Sequence, residues 1–352
     1  MLMALNIRLP KLDLLSMSMT NKKVRWGIAG LGKIAHRFAK DLTQHVENGE
    51  LYAVAARDLQ RSEAFSSEYN CQNSYGSYQA LAEDPNVDVV YIATIHPFHK
   101  SMTELFLTHG KHVLVEKPAF TNTEDWDEMS SLAKEKGLLL VEAMKSVAFP
   151  AYRELRQFIK DNNVKIDSVE AAFGNWHEFD TSQQIFNPDL CGGATLDVGV
   201  YALWLYTDLC QLMKTSVLEP SAKHSKDNAK SEVDENVELL FEGEIKGKIC
   251  ASITRNLKRE AIIRGPELEI TIHEKWWNPR TIDILYQGKK QQITTLVRGG
   301  GFEYEIEHIS SLILDGKYQS DVMRSETSRQ VISIMEASLT ANGFQHLVRS
   351  MG

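Results

Sequence analysis

The chain has 352 residues, 43% of them hydrophobic and 24% charged, close to globular averages, which excludes a disordered or fibrous architecture. At roughly 100–200 residues per domain, this length predicts two domains. The net charge of −8, carried without clustered Lys and Arg, excludes a nucleic-acid partner, because neutralising phosphates needs such a cluster.

Cys71, Cys191, Cys210 and Cys250 are scattered and form no CxxC pair, so neither a zinc ribbon nor a disulfide framework is expected and a cytoplasmic protein fits best. No apolar run nears the ~20 residues of a bilayer helix, so no membrane partner is expected. Residues 1–22 read as an N-terminal extension. Arg8, Pro10, Lys11 and Asp13 break any signal-peptide core. Two readings stay open there: Met19 as the natural start, or an ordered arm that packs on a neighbour.

From Val24, short apolar runs alternate with amphipathic stretches, the pattern of βαβ units around a parallel sheet. Strands are predicted at Val24–Ala29, Leu51–Ala56, Val87–Ala93, Val113–Val115 and Leu138–Glu142. Helices are predicted at Ile34–Gln44, Arg61–Tyr69, Tyr78–Ala82, Lys100–Thr108 and Thr123–Lys136, the last two stopped by Gly110 and Gly137. This assigns residues 23–145 to a Rossmann dinucleotide-binding domain. Residues 146–352 form a second, C-terminal domain of α+β type, opening with a helix over Ala151–Asn162. A strand at Ser168–Phe173 and a helix around Thr195–Cys210 come next. Alternating strands at Val237–Phe241, Gly247–Thr254, Glu267–Ile272 and Thr281–Tyr286 indicate a mixed or antiparallel sheet. The polar stretch Lys223–Asp234 reads as an exposed loop, and helices at Glu303–Asp315 and Glu326–Asn342 close the chain.

At the first strand-to-helix junction, Gly30-Leu31-Gly32-Lys33-Ile34-Ala35 spells G-x-G-x-x-A. Gly30 allows the tight turn, Gly32 the approach of a pyrophosphate, and Ala35 close packing of helix on sheet, with helix N–H groups facing the phosphates. The second strand runs Ala55-Ala56-Arg57-Asp58. With Ala56 at the position of the usual ribose-binding acid, Arg57, helped by Arg61, suits a 2′-phosphate, and NADP is the expected cofactor. The rival reading takes Asp58 as the ribose acid and leaves NAD possible.

Two further segments carry chemistry. Glu116-Lys117-Pro118 puts a lysine at the carboxyl end of the sheet, where open α/β folds bind ligands. Gly192-Gly193-Ala194-Thr195-Leu196-Asp197-Val198-Gly199-Val200-Tyr201 places Asp197 and Tyr201 four apart on a helix, facing one centre. Together, GLGKIA, EKP and GGATLDVGVY resemble the three signatures of the Gfo/Idh/MocA oxidoreductase family. The AARD strand end, the Ile95-His96-Pro97-Phe98-His99 segment, and a tyrosine where most members have histidine are most similar to the branch of dimeric dihydrodiol and NADP-dependent D-xylose dehydrogenases.

The resemblance implies α/β architecture: a Rossmann fold plus a C-terminal α+β domain with an open, mostly antiparallel sheet whose outer face builds a homodimer. It implies Lys117 and Tyr201 as the catalytic pair, with Asp197 orienting substrate or pair, and Thr94, His96 and His99 lining the nicotinamide end of the cofactor beside Glu116 and Pro118. Tyr201 would exchange the hydroxyl proton, with the Lys117 ammonium favouring the phenolate. His96 and His99, with no carboxylate or thiol cluster, make a poor metal site, and no metal is expected. The stretch Ala143–Pro150 lacks the tryptophan and arginine of the dihydrodiol branch, which counts against an aromatic diol. Lys145 is a candidate for a polar or anionic substrate, or else a solvated lysine at the domain junction. Trp176, with His177 and Phe179, is a candidate substrate wall or plain core. The sequence thus predicts an NADP-dependent dehydrogenase or reductase acting on a sugar or small hydroxy/carbonyl compound. The alternatives are a non-catalytic NADP redox sensor, and a racemase or hydrolase using transient oxidation.

Overall fold

A computed structural model of the chain describes residues 22–351, so the extension expected at 1–22 lies, apart from Lys22, outside the described residues. Six parallel strands, β1 (Val24–Ala29), β2 (Gly49–Ala55), β3 (Asn73–Tyr75), β4 (Val89–Ile92), β5 (His112–Glu116) and β6 (Leu140–Ala143), stand in the order β3-β2-β1-β4-β5-β6. Five helices connect them: α1 (Lys33–His45), α2 (Leu59–Glu68), α3 (Tyr78–Glu83), α4 (His99–Thr108) and α5 (Thr123–Lys136). The order reverses between β1 and β4, which opens a crevice at the carboxyl ends of those strands. Every residue of β4 is buried, as expected of a strand covered by helices on both faces. Local caps set the helix ends: Asn122 Oδ1 accepts from Asp125 N at 2.8 Å to open α5, and Gly137 closes it in the left-handed region.

After the short α6 (Lys145–Ala148) come α7 (Pro150–Asp161), β7 (Ser168–Gly174) and a π-helical turn, Thr195–Gly199, that runs into α8 (Val200–Leu212). The remaining strands are β8 (Ser221–Ser225), β9 (Asn236–Glu242), β10 (Lys246–Ser252), β11 (Ala261–Gly265), β12 (Leu268–Ile272), β13 (Thr281–Tyr286) and β14 (Lys289–Thr294). With β7 they form an eight-stranded sheet, β14-β13-β12-β11-β7-β10-β9-β8, antiparallel except for the β7–β10 pair. Its inner face is apolar (Val169, Ala171, Ile249, Ile263, Ile270), whereas Glu170, Lys246, Lys248 and Glu269 face outward. The exposed loop expected over Lys223–Asp234 is corrected: its start belongs to edge strand β8, and Asp234 at its end is fully buried.

Helices α9 (Phe302–Leu314) and α10 (Ser325–Ala341) return the chain to the first sheet. Phe38 of α1 stacks on Tyr91 at 3.8 Å, and Phe302 meets Phe38 edge-on at 6.0 Å, so α9 shares the Rossmann core. Each such ring pair adds about 0.5–1.5 kcal/mol beyond its buried area. Directional bonds fix the joint: Asp41 of α1 accepts from Gly300 N at 2.9 Å and from Phe302 N at 3.0 Å, acting as a cap for α9 from across the junction.

Lys145 sits in that joint. It is buried, with Nζ 4.3 Å from the centre of the Phe302 ring and 3.3 Å from the Gly300 carbonyl oxygen, so its reading as a solvated lysine is overturned. Burial, then the Arg37 guanidinium, push its pKa down to about 8 against the pull of Glu305, Glu116 and Asp41. Such a lysine penalises folding while both states hold the proton. The penalty fades as pH climbs from about 8 toward the ~10.4 of the unfolded chain, where only the unfolded state still binds the proton. Lys145→Met is therefore expected to be more stable than the unaltered chain at neutral pH and to lose that advantage as pH rises through this window. Urea midpoints across it provide the check, and an advantage that grows with pH would refute the assignment.

Candidate active site

The crevice at the β1/β4 switch is a cleft of about 600 Å³ whose walls include Gly30, Gly32, Arg57, Arg61, Tyr78 and Thr94. Gly30 has φ +91°, and a Cβ there would meet the Ala93 backbone and the Thr94 methyl at 3.0 Å, so only glycine makes this turn without strain. A Cβ on Gly32 would meet nothing within 4 Å, so the loop borders open space. Helix α1 begins there without a side-chain cap, which leaves its first N–H groups free for an anion. Lys33 is exposed at its first turn, Ile34 half-buried, and Ala35 fully buried against the sheet. Thr94 Oγ1 is buried without a partner at the cleft wall. These features fit a dinucleotide.

The end of β2 separates the two cofactor readings by geometry. Asp58 spends its carboxylate on the α2 cap, accepting from Gln60 N at 2.9 Å. Arg61 Nη2 donates to the Leu31 carbonyl at 2.6 Å, which buttresses the glycine loop. Arg57 is exposed and makes no ion pair or side-chain hydrogen bond among the described residues.

Lys117, Asp197 and Tyr201 come together from both halves of the chain. Lys117 Nζ donates to the Asp197 carbonyl at 2.7 Å and lies 3.2 Å from Asp197 Oδ1 and 5.1 Å from the centre of the Tyr201 ring. The first turn of this helix is π rather than α, with Val200 N bonded to the Thr195 carbonyl. Such turns recur at functional sites. Burial alone would discharge Lys117, but Asp197, Tyr201 and Glu116 outweigh it and hold the ammonium above its usual range. Asp197 is lowered: Lys117, with His96 and His177, overcomes the effect of burial. Burial pushes the Tyr201 phenol up to about 12, more than Lys117 draws it down. Lys117 thus favours the phenolate in direction, and desolvation outweighs it.

His96 is buried, with Nδ1 3.1 Å from the Cys191 carbonyl. A carbonyl only accepts, so Nδ1 carries hydrogen and Nε2 is left as an acceptor. Burial, then His99 and Lys117, lower its pKa to about 3, so it is uncharged at neutral pH. His99 is fully buried, with ring nitrogens 3.0 Å from the carbonyls of Thr94, Pro118 and Ala119. It spaces the loops after β4 and β5, where the sequence reading had it lining the cofactor. Glu116 accepts from the Tyr91 hydroxyl and, at 3.2 Å, from the Lys117 backbone N–H, and burial raises it. Trp176 is 62% exposed, so it is not core, and its neighbour His177 is the one that acts on Asp197.

Sequence reasoning missed Glu305, a fully buried carboxyl on α9 with neither oxygen hydrogen-bonded and a pKa raised by burial and Glu116. It also missed Asp234, which accepts from Thr195 at the head of the π turn. Nothing in the periodicity of either segment marks these residues. Among the described residues no group of three or more His, Cys, Asp or Glu is arranged to hold a metal, and no helix is long and apolar enough to cross a membrane.

Residues 24–144 match the oxidoreductase family described as an NAD-binding Rossmann fold, Gfo/Idh/MocA. The trans-1,2-dihydrobenzene-1,2-diol dehydrogenase of Xenopus tropicalis is 31% identical over 330 residues, spanning 91% of this chain and 98% of that protein. The enzyme of that name from Homo sapiens is 29% identical, spanning 91% and 97%. A 3-ketoreductase from Actinomadura kijaniata, solved with NADP and TDP-benzene, shares the fold at a TM-score of 0.78 and 23% identity, over 91% of this chain and 98% of that one. An aldose-aldose oxidoreductase from Caulobacter crescentus, solved with glycerol, shares it at 0.79 and 22%, over 91% and 97%. With a Rossmann crevice, a lysine at its lip and a tyrosine brought to that lysine on helix α8, the chain belongs to the Gfo/Idh/MocA family of oxidoreductases.

Proposed function

We propose that the chain is an NADP-dependent dehydrogenase or reductase acting on the CH–OH or carbonyl group of a sugar or small hydroxy/carbonyl compound. The observation that carries this reading is the Lys117 ammonium, tied to Asp197 and lying against the Tyr201 ring, at the carboxyl edge of the Rossmann sheet. A dinucleotide held by the Gly30–Gly32 loop and Arg57 would supply or take up the hydride. Tyr201, held protonated near neutral pH, donates its phenolic proton to a carbonyl oxygen, and Lys117 stabilises negative charge growing on that oxygen. In oxidation the hydroxyl proton returns to Tyr201. Asp197 keeps Lys117 charged and aimed. Division of the chain into a cofactor domain over residues 23–145 and a substrate domain over 146–352 goes with this reading. Lys145, sealed behind Phe302, is dropped as a substrate contact, and Trp176 is retained as one at the exposed rim.

Tyr201→Phe and Lys117→Met are each expected to cut hydride transfer by roughly 10²–10⁴-fold while NADPH still binds. Absorbance of the reduced nicotinamide with a panel of aldoses and dicarbonyls reads the first quantity, and quenching of its fluorescence the second. Full turnover in either variant would remove the assigned chemistry.

NADP is preferred over NAD because Arg57 is uncommitted at the cleft while Asp58 is occupied as a cap. A charge-assisted hydrogen bond is worth about 1.5–3 kcal/mol, so Arg57→Ala should raise the KM for NADPH about tenfold to a hundredfold and leave that for NADH nearly unchanged. Equal losses with both cofactors would restore the NAD reading.

We place the enzyme in the cytoplasm as a homodimer through the outer face of the second sheet. Support comes from that face being uncovered in the single chain, with Leu285 39% exposed among paired charges such as Arg264–Glu170. Light scattering at micromolar concentration should return twice the chain mass of 39.8 kDa; a monomer's mass would exclude the arrangement.

A further inference from the structure

We propose that Asp234, steadied by His224, is a positioning residue for proton transfer: a buried strut that fixes the turn carrying Asp197 and leading into Tyr201. The inference rests on the reading of Lys117 and Tyr201 given above. Asp234 Oδ2 accepts from Thr195 N at 3.0 Å and from Thr195 Oγ1 at 2.5 Å, and the Asp234 carbonyl accepts from Ala194 N at 2.7 Å. One residue thus receives three donors at the head of the π turn. His224 Nδ1 lies 3.2 Å from the same Oδ2, and His224 Nε2 lies 2.6 Å from Ser338 Oγ on α10. A carboxylate oxygen engaged in this way leaves Nδ1 as donor and Nε2 to accept from the Ser338 hydroxyl.

The side chains of His224 and Asp234 are wholly buried. Ser338, His224 and Asp234 follow the order of a nucleophilic triad, but the carboxylate is spent on Thr195 and Ser338 is only 6% exposed, which leaves a substrate no access. Their work is mechanical. The remaining oxygen, Asp234 Oδ1, is buried without a partner and presses on Gly193, where a Cβ would approach it to 2.2 Å at a φ of +113°. Gly193 is thus what lets a carboxylate close on the turn.

From this fixed turn the Asp197 carbonyl receives Lys117 Nζ, so a shift at Thr195 moves the ammonium and the phenol together. Displacing reacting groups by about 1 Å costs on the order of a hundredfold in rate. Cofactor binding draws on β1, β2 and β4, which the strut does not touch.

The obvious variant, Asp234→Asn, risks misfolding, so the test uses Thr195→Val, which keeps shape and loses the hydroxyl, and Thr195→Ser, which keeps it. Protein labelled at tyrosine 13Cζ gives a substrate-free readout, with the Tyr201 resonance assigned by its loss in Tyr201→Phe. Hydride transfer from NADPH to methylglyoxal or to any panel member that turns over gives the second readout. Thr195→Val is expected to shift the Tyr201 resonance and slow transfer about tenfold to a hundredfold, with NADPH affinity and substrate KM held within about twofold, and Thr195→Ser to restore both. If Thr195→Val leaves the resonance and the rate unchanged, the strut is refuted. Full turnover in Tyr201→Phe, with the resonance still shifted by Thr195→Val, would sink the proton-donor reading and leave the strut standing.

Discussion

An ammonium removed from water has to be paired, and in this molecule its partner comes from the other half of the chain. Lys117 sits just past β5 with its side chain 13% exposed, and its donors go to the carbonyl and carboxylate of Asp197. Removing one partner would leave the other charge largely out of water and unpaired. The pairing therefore does more than keep an ammonium charged: it specifies where the second sheet stands relative to the nucleotide crevice. Glu142 of β6 adds a second suture, accepting from Ala119 N at 3.0 Å and from Trp204 Nε1 of α8 at 2.6 Å. The segment holding the lysine and the helix holding the tyrosine are thus clamped to one carboxyl group.

Electrostatics within the seam follow from competition between burial and neighbours. For Lys117 and Asp197 the neighbours win and both charges are kept. For Tyr201 and His96 burial wins, leaving a protonated phenol and an uncharged imidazole. The outcome near neutral pH is one ion pair flanked by two neutral groups. This is the state of the seam on which the proposed proton donation by Tyr201 rests.

Much of this was legible in the sequence, for reasons of periodicity. Strands buried on both faces are unbroken apolar runs, and Val89–Ile92 could hardly be anything else. The glycine loop, Lys117 and the Asp197/Tyr201 spacing lie in short segments whose local geometry carries their meaning. What stayed hidden depends on partners far along the chain. Ser221–Ser225 and Lys289–Thr294 are polar because they are edge strands, and only their neighbours' backbone reveals them. Asp234 and Thr195 are 39 residues apart, and His224 and Ser338 are 114. The burial of Lys145, open in the sequence to a substrate-facing or a solvated reading, stayed hidden because a lysine carries no mark of the phenylalanine, Phe302, that will cover it. Local pattern sets which face a residue takes, and the topology alone sets what it meets there.

That division also explains why a polar network lies beneath an otherwise apolar helix. Ten of the thirteen residues of α8 are buried, so it carries apolar surface nearly all round. Hydrophobic contact is non-directional; it fixes how deep such a helix sits and says little about its rotation or its register along the sheet. Those are set by a few polar atoms spaced along it: Thr195 on Asp234 at the head, Trp204 on Glu142 in the middle, Tyr206 on the Ile245 carbonyl, and Asp208 between Tyr152 and Arg324 near the end. Each bond is short-ranged and angular, so a small rotation breaks it where apolar packing would yield. The proposed meeting of a phenol and an ammonium at one substrate oxygen calls for that angular stiffness, and apolar burial alone would leave Tyr201 deep enough but free to point elsewhere.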